Sequence, residues 1–128
     1  IRFQKRAARL ILDQDINTPS SILFKELNWM TFPERVSFQK AILMFKLFNG
    51  SAPDYLLNKF PLVSHIHERN LRSTSHSQLY SPKPNTEVFR RSFSYSGSLI
   101  WNNLPTYVRN ANSLTHFKKL YIKWLKQN

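Results

Sequence analysis

In-line phosphoryl transfer needs carboxylates clustered closely enough to hold two cations, and the chain offers one close pair, Asp13 and Asp15. Both fall at the end of a helical stretch, just before Asn17, Thr18 and Pro19, where Asp commonly hydrogen-bonds its own backbone. A turn role is therefore expected of them. The remaining acids, Glu26, Glu34, Asp54, Glu68 and Glu87, are scattered. His65 and His67 would share one face of a strand, but with no cysteine and no obvious acidic third ligand a solvated pair near phosphate is the favoured reading. His76 and His116 add no pattern. Tyr95, Ser96 and Gly97 supply half of a nucleophile elbow without its preceding glycine, and no glycine-rich phosphate loop is present. No catalytic residue, metal site or cofactor is expected in the chain itself.

The basic residues form the more informative set. With 19 Lys+Arg against 7 Asp+Glu the formal charge is +12 over 128 residues, which points to a polyanionic partner: nucleic acid is the commonest, and an anionic membrane or an acidic protein surface would satisfy the same electrostatics. The cations recur in three places. Arg2, Lys5, Arg6 and Arg9 lie at i, i+3, i+4 and i+7; Arg69, Arg72, Lys83, Arg90 and Arg91 are spaced along a polar middle segment; Lys118, Lys119, Lys123 and Lys126 cluster near the C-terminal end. Spaced cations of this kind neutralise successive phosphates and release their counterions. Tyr80, Phe89, Tyr95 and Tyr107 are of a type that stacks on unpaired bases, whereas Phe93, Trp101, Phe117 and Trp124 sit on apolar helix faces and are expected in the core.

Most of the elements that must hold these residues are helical. Phe3, Ala7, Leu10 and Ile11 share one side of an amphipathic basic helix over residues 1–14. Thr18 and Pro19 are suited to cap and open a second helix, with Leu23, Phe24 and Leu27 inward, ending near Asn28. Pro33 opens a third that runs to Asn49, with Gly50 placed to stop it in a left-handed turn. The apolar residues of this third helix surround it, so it should be covered on several sides and lie at the centre. Pro53 restarts a short helix that Pro61 ends. Residues 64–92 are rich in Ser, Thr, Asn, His, Pro and Arg without helical period, and read as an extended arm with room for two short strands. Helical spacing returns through Phe93, Leu99, Ile100 and Trp101, is broken by Pro105, and resumes near Ser113.

The expectation is thus a mainly α, small single domain of about five to six helices: a helical half over 1–60, a basic irregular arm over 64–92 and C-terminal helices over 93–128. No apolar run approaches the roughly 20 residues that span a bilayer, so no membrane partner is expected. The start at Ile1 fits a fragment of a longer polypeptide, and the absence of cysteine fits an intracellular protein.

Five strings, QKRAARLIL, TPSSILFKELNW, KLFNGSAPDYL, RNLRS and above all FRRSFSYSGSLIWNNLP, resemble, in order and over essentially the whole chain, the C-terminal region of reverse transcriptases from jockey-like non-LTR retrotransposons. The resemblance implies a region that follows the polymerase fingers, palm and thumb, in an element working in cytoplasm and nucleus. It implies no catalytic residue here, since the palm's paired aspartates are not in the sequence; Mg2+ would belong to the parent polymerase. Arg6 and Arg9 match its basic run, Asn49 and Gly50 its helix-ending turn, Arg72 its arm, and Phe93, Tyr95, Gly97, Trp101, Asn102 and Pro105 its signature string. On charge grounds the nucleic-acid contacts are Arg2, Lys5, Arg6, Arg9, Arg69, Arg72, Lys83, Arg90, Arg91, Lys118, Lys119 and Lys123, with RNA or DNA and the upstream polymerase domains as partners. A second reading makes the chain a structural or protein-interaction domain that packs the apolar side of its first helix on the thumb.

Overall fold

The structure is a computed structural model that describes residues 2–66 and 78–127. Among these it is helical almost throughout: α1 (Arg2–Ile11), α2 (Ser20–Glu26), α3 (Phe32–Phe48), α4 (Asp54–Leu57), α5 (Val63–Ile66), α6 (Glu87–Arg91), α7 (Phe93–Asn103), α8 (Thr106–Arg109) and α9 (Leu114–Gln127). The mainly α class expected from the sequence is what is found. The larger number of helices comes from α5, α6 and α8, each of four or five residues, too short for a 3.6-residue period to show. The chain divides within α3 into two compact units, residues 1–37 and 38–128.

In the first unit α2 packs on α1 through Ala8, Leu23 and Phe24, with Leu12 and Leu27 against them. The buried side of α1 is therefore not the row Phe3, Leu10 and Ile11, which is exposed at 88%, 75% and 59%. Small Ala8 lets the helices approach closely, and Gln4 continues that inner side by donating to the Met30 carbonyl at 2.7 Å. Helix α2 begins one residue after the expected position, with Pro19 itself in the capping place and no side-chain cap. At the start of α3 the Glu34 carboxylate accepts from the Thr31 amide at 2.6 Å and the Thr31 hydroxyl at 2.8 Å, which orders the first turn.

Three helices end alike. Asp13, Asn28 and Gly50 have positive φ of 49°, 54° and 67°, and the residue after each returns its amide to the helix: Gln14 to Arg9, Trp29 to Phe24, Ser51 to Lys46. This is the Schellman stop, which tolerates Asn and Asp as well as Gly in the left-handed position. The stop at Gly50 is where the sequence placed it.

The second unit is built on the C-terminal part of α3, whose Phe38, Ala41, Ile42, Met44, Phe45 and Leu47 are all buried. A helix apolar on so many sides has to be covered by several neighbours, and aromatic rings do much of the covering. Phe45 stacks on Phe117 at 4.5 Å between centroids, Phe48 on Trp101 at 5.0 Å, and Phe38 meets Tyr121 at 5.1 Å. Gly97 lets α7 come close: a Cβ there would meet the Met44 sulfur at 3.0 Å and the Phe60 and Phe93 rings at 3.2 Å.

Within the middle segment, the described part is less extended than the sequence suggested. Residues 63–66 and 87–91 are helical turns, and the only bridge among the described residues joins Leu62 to Leu79. There the Val63 amide donates to Gln78 and the Tyr80 amide to Pro61. On the other edge of Leu79 stands a side chain. Its N–H donates to Asn102 Oδ1 at 2.9 Å, and Asn102 Nδ2 donates to its carbonyl at 2.8 Å. The Asn102 amide thus pairs with Leu79 as a neighbouring strand would.

Candidate nucleic-acid interface

Helix α9 separates its residues cleanly. Phe117 and Tyr121 are buried, Leu114, Trp124 and Leu125 half-buried, and Lys118, Lys119, Lys123 and Lys126 exposed. Ser113 starts the helix by accepting the His116 amide at 3.2 Å. Lys119, Lys123 and Lys126 follow i, i+4, i+7 spacing and fall within an arc of about 60°, spread over about 10 Å of helix. That length matches about three phosphates of rise along one strand of a duplex. Helix α9 carries no acidic residue, and none of its four lysines has an ion-pair partner among the described residues. The short helix α8 packs against α9 and presents Tyr107, 52% exposed.

The other two basic groups fare differently. On α1, Arg2 and Arg6 are exposed and Lys5 half-buried; Arg9 is half-buried, its guanidinium donating to the Thr18 carbonyl at 3.2 Å, and its buried Nε has no partner. Along the middle segment Lys83 is exposed. Arg90 and Arg91 both turn to Glu87, at 3.7 Å and 3.1 Å, so much of their charge is met locally by one carboxylate, although exposed pairs of this kind hold only weakly. Arg69 and Arg72, with His67, Glu68 and His76, lie outside the described residues.

The residues considered for chemistry take structural positions. Asp13 occupies the left-handed stop of α1, and Asp15 Oδ1 accepts the Asn17 amide at 3.0 Å, the turn role expected of them. His65 sits exposed in α5, not in a strand. Ser96 lies inside α7, where its hydroxyl donates to the Ser92 carbonyl and accepts from Lys40, both at 2.8 Å. The amides around it are committed to the helix, whereas acyl transfer needs free donors at the oxyanion. Among the described residues no group of three or more His, Asp or Glu is placed to hold a metal ion, and no helix is long and apolar enough to cross a membrane.

Of the expected core aromatics, Trp101 and Phe117 are buried, whereas Phe93, edge-on against Phe60 at 5.3 Å, and Trp124 are half-buried. Of the stacking candidates, Tyr80 is half-buried, Phe89 and Tyr95 are half-buried against each other at 6.0 Å, and Tyr107 alone is open. The sequence reading missed the clamp of Asn102 on Leu79. The pair Asn102 and Asn103 amid the apolar residues of IWNNLP was its one signal. No protein-family model, curated protein or solved structure matches the chain.

Proposed function

We propose that the chain is a non-catalytic, nucleic-acid-binding accessory domain of a non-LTR retrotransposon reverse transcriptase, gripping RNA template or target DNA beside the polymerase core. The observation that carries the nucleic-acid part is the α9 row: exposed Lys119, Lys123 and Lys126 on an acid-free face, with exposed Lys118 at its border, fixed in direction by the buried Phe117 and Tyr121 on the opposite side. A charged row on a helix anchored this firmly meets phosphates at little ordering cost. Lys83 and Tyr107 add a further cation and an open ring for an unpaired base. The parentage rests on the resemblance of FRRSFSYSGSLIWNNLP and the preceding strings to that family, and chemistry with Mg2+ belongs to the upstream palm. The α1 cations border an apolar stripe that a phosphate backbone does not cover, and the grip is assigned to α9.

Binding of the 128-residue chain to RNA and to duplex DNA across a salt series tests this. Four phosphate contacts on duplex DNA give a slope of log affinity against log salt of about −3.6, a loss of about a hundredfold between 50 and 200 mM. A flat salt response, or no binding, rejects the grip.

A second reading, a protein-interaction domain packing on the polymerase thumb, is favoured by the exposure of Phe3, Leu10 and Ile11. Under it alone, replacing the α9 lysines leaves nucleic-acid affinity unchanged.

A further inference from the structure

Helix α1 is amphipathic about the wrong side for its own unit. At about 100° per residue, Leu10, Phe3, Ala7 and Ile11 span one arc, Arg6, Arg2, Arg9 and Lys5 a second beside it, and Gln4, Ala8 and Leu12 a third. The third is packed, and of the second Arg9 reaches the Thr18 carbonyl. The apolar arc faces water, with Phe3 88%, Leu10 75% and Ile11 59% exposed, and Ile16 beyond the stop is 78% exposed. The unit over residues 1–37 has only Ala8, Leu23 and Phe24 as its buried core. Units below about 40 residues usually need a disulfide, a metal or association to be stable, and the chain has no cysteine.

The charges around the stripe say what associates. Arg6 borders Leu10 on the wheel and Arg2 lies one turn further on; both are exposed, and neither has an ion-pair partner among the described residues. At the C-terminal end of the stripe stand exposed Asp13 and Asp15. An anionic bilayer or a nucleic acid sets negative charge against Asp13 and Asp15 as well as against the arginines, whereas a helix can keep its acids opposite Arg6 and Arg2, and a phosphate backbone leaves Phe3 and Leu10 wet. A second copy would bring its own +12 charge, which opposes self-association.

We infer that the outer face of α1 docks an acidic amphipathic helix of a protein partner. Its apolar row covers Phe3, Ala7, Leu10 and Ile11, and its flanking Glu or Asp residues meet Arg6 and Arg2. Ala7, at the middle of the stripe, lets the partner backbone approach. The inference names the partner chemistry for the protein-interaction reading of α1, and it stands apart from the grip on α9.

The test uses the whole 128-residue chain and fluorescein-labelled, helix-forming peptides of about 18 residues with leucines at i, i+3, i+4 and i+7. One peptide is flanked by Glu, one by Lys, and one is the Glu peptide scrambled. Anisotropy should show the Glu peptide binding about tenfold or more tighter than the other two, a preference of the size that close charge complementarity supplies. Phe3→Ser with Leu10→Ser should abolish binding, and Arg2→Glu with Arg6→Glu should turn the preference to the Lys peptide. All four positions are exposed, so the unfolding midpoint of each variant should stay with that of the parent chain. RNA binding measured in parallel should not follow the Ser pair, which separates a failure here from a failure of the grip. Equal binding of the three peptides, binding that survives the Ser pair, tight uptake by phosphatidylserine vesicles through the same residues, or a dimer lost on Leu10→Ser would each overturn the inference.

Discussion

Replacing Asn102 by alanine removes both ends of the amide clamp on Leu79 and offers nothing in exchange. Leu79 is 2% exposed, so its N–H and C=O, bonded to Asn102 at 2.9 and 2.8 Å, gain little from water once the amide is gone. A buried backbone group left without a partner costs about 1–3 kcal/mol. The Leu79 carbonyl has a second lone pair and suffers less than the N–H. The expected loss is about 2–4 kcal/mol, or about 10 °C in the unfolding midpoint for a chain of this size. Urea unfolding followed by circular dichroism and tryptophan fluorescence measures it directly. Asn102→Asp separates the two bonds, because the carboxylate still accepts from the N–H but faces the carbonyl with a negative charge and no donor. That variant should be destabilised at neutral pH and recover as acid protonates the introduced carboxyl. The sign follows from the folded state favouring the protonated form: stability is present at low pH and lost as pH rises. An Asn102→Ala chain within about 0.5 kcal/mol of the parent, the range of an inconsequential surface change, would reduce the clamp to an incidental contact.

Changing Lys119, Lys123 and Lys126 together to alanine should lower the salt slope for duplex DNA by about 2.7 while leaving the unfolding midpoint in place; fluorescence anisotropy at four salt concentrations reads it. Arg9→Ala should destabilise the residue 1–37 unit by about 1 kcal/mol and leave nucleic-acid affinity unchanged, as native-state hydrogen exchange of α1 and α2 beside a binding titration would show. Gly97→Val pushes a branched side chain onto Met44, Phe60 and Phe93 and should cost about 1–3 kcal/mol or more in urea unfolding. Gly50→Ala puts a Cβ in open space at φ +67°, so its cost is the left-handed backbone alone, about 1–2 kcal/mol. A Gly97→Val chain as stable as the parent would contradict the crowding at that position.

The boundaries of the long helices could be read from local signals. Pro33 and Gly50 bracket α3 because a fixed φ suits the first turn and a left-handed residue suits the stop, and the apolar residues around α3 announced that it would be covered on several sides. What escaped was short or relational. The turns α5, α6 and α8 contain too few residues to show a period, although Thr86 accepting the Phe89 amide at 3.2 Å was a capping signal in an otherwise polar stretch. Of the cations, type and spacing were legible, but the neighbours that change their meaning were not: Glu87 beside Arg90 and Arg91, and the Thr18 carbonyl beneath Arg9.

Helical character, strong positive charge and the lack of cysteine were legible along the chain alone, because composition, capping residues and apolar period act locally. Which side of each helix faces the core was settled by packing between elements distant in sequence. On α9 burial took the aromatic side and left the lysines free, as the pattern suggested. On α1 it took Ala8 and Leu12, because a small residue allows close helix packing, and left Phe3, Leu10 and Ile11 in water. Likewise Asn102 became the partner of Leu79, 23 residues away, because a half-buried amide must find a donor and an acceptor, and only the folded chain brings both within reach.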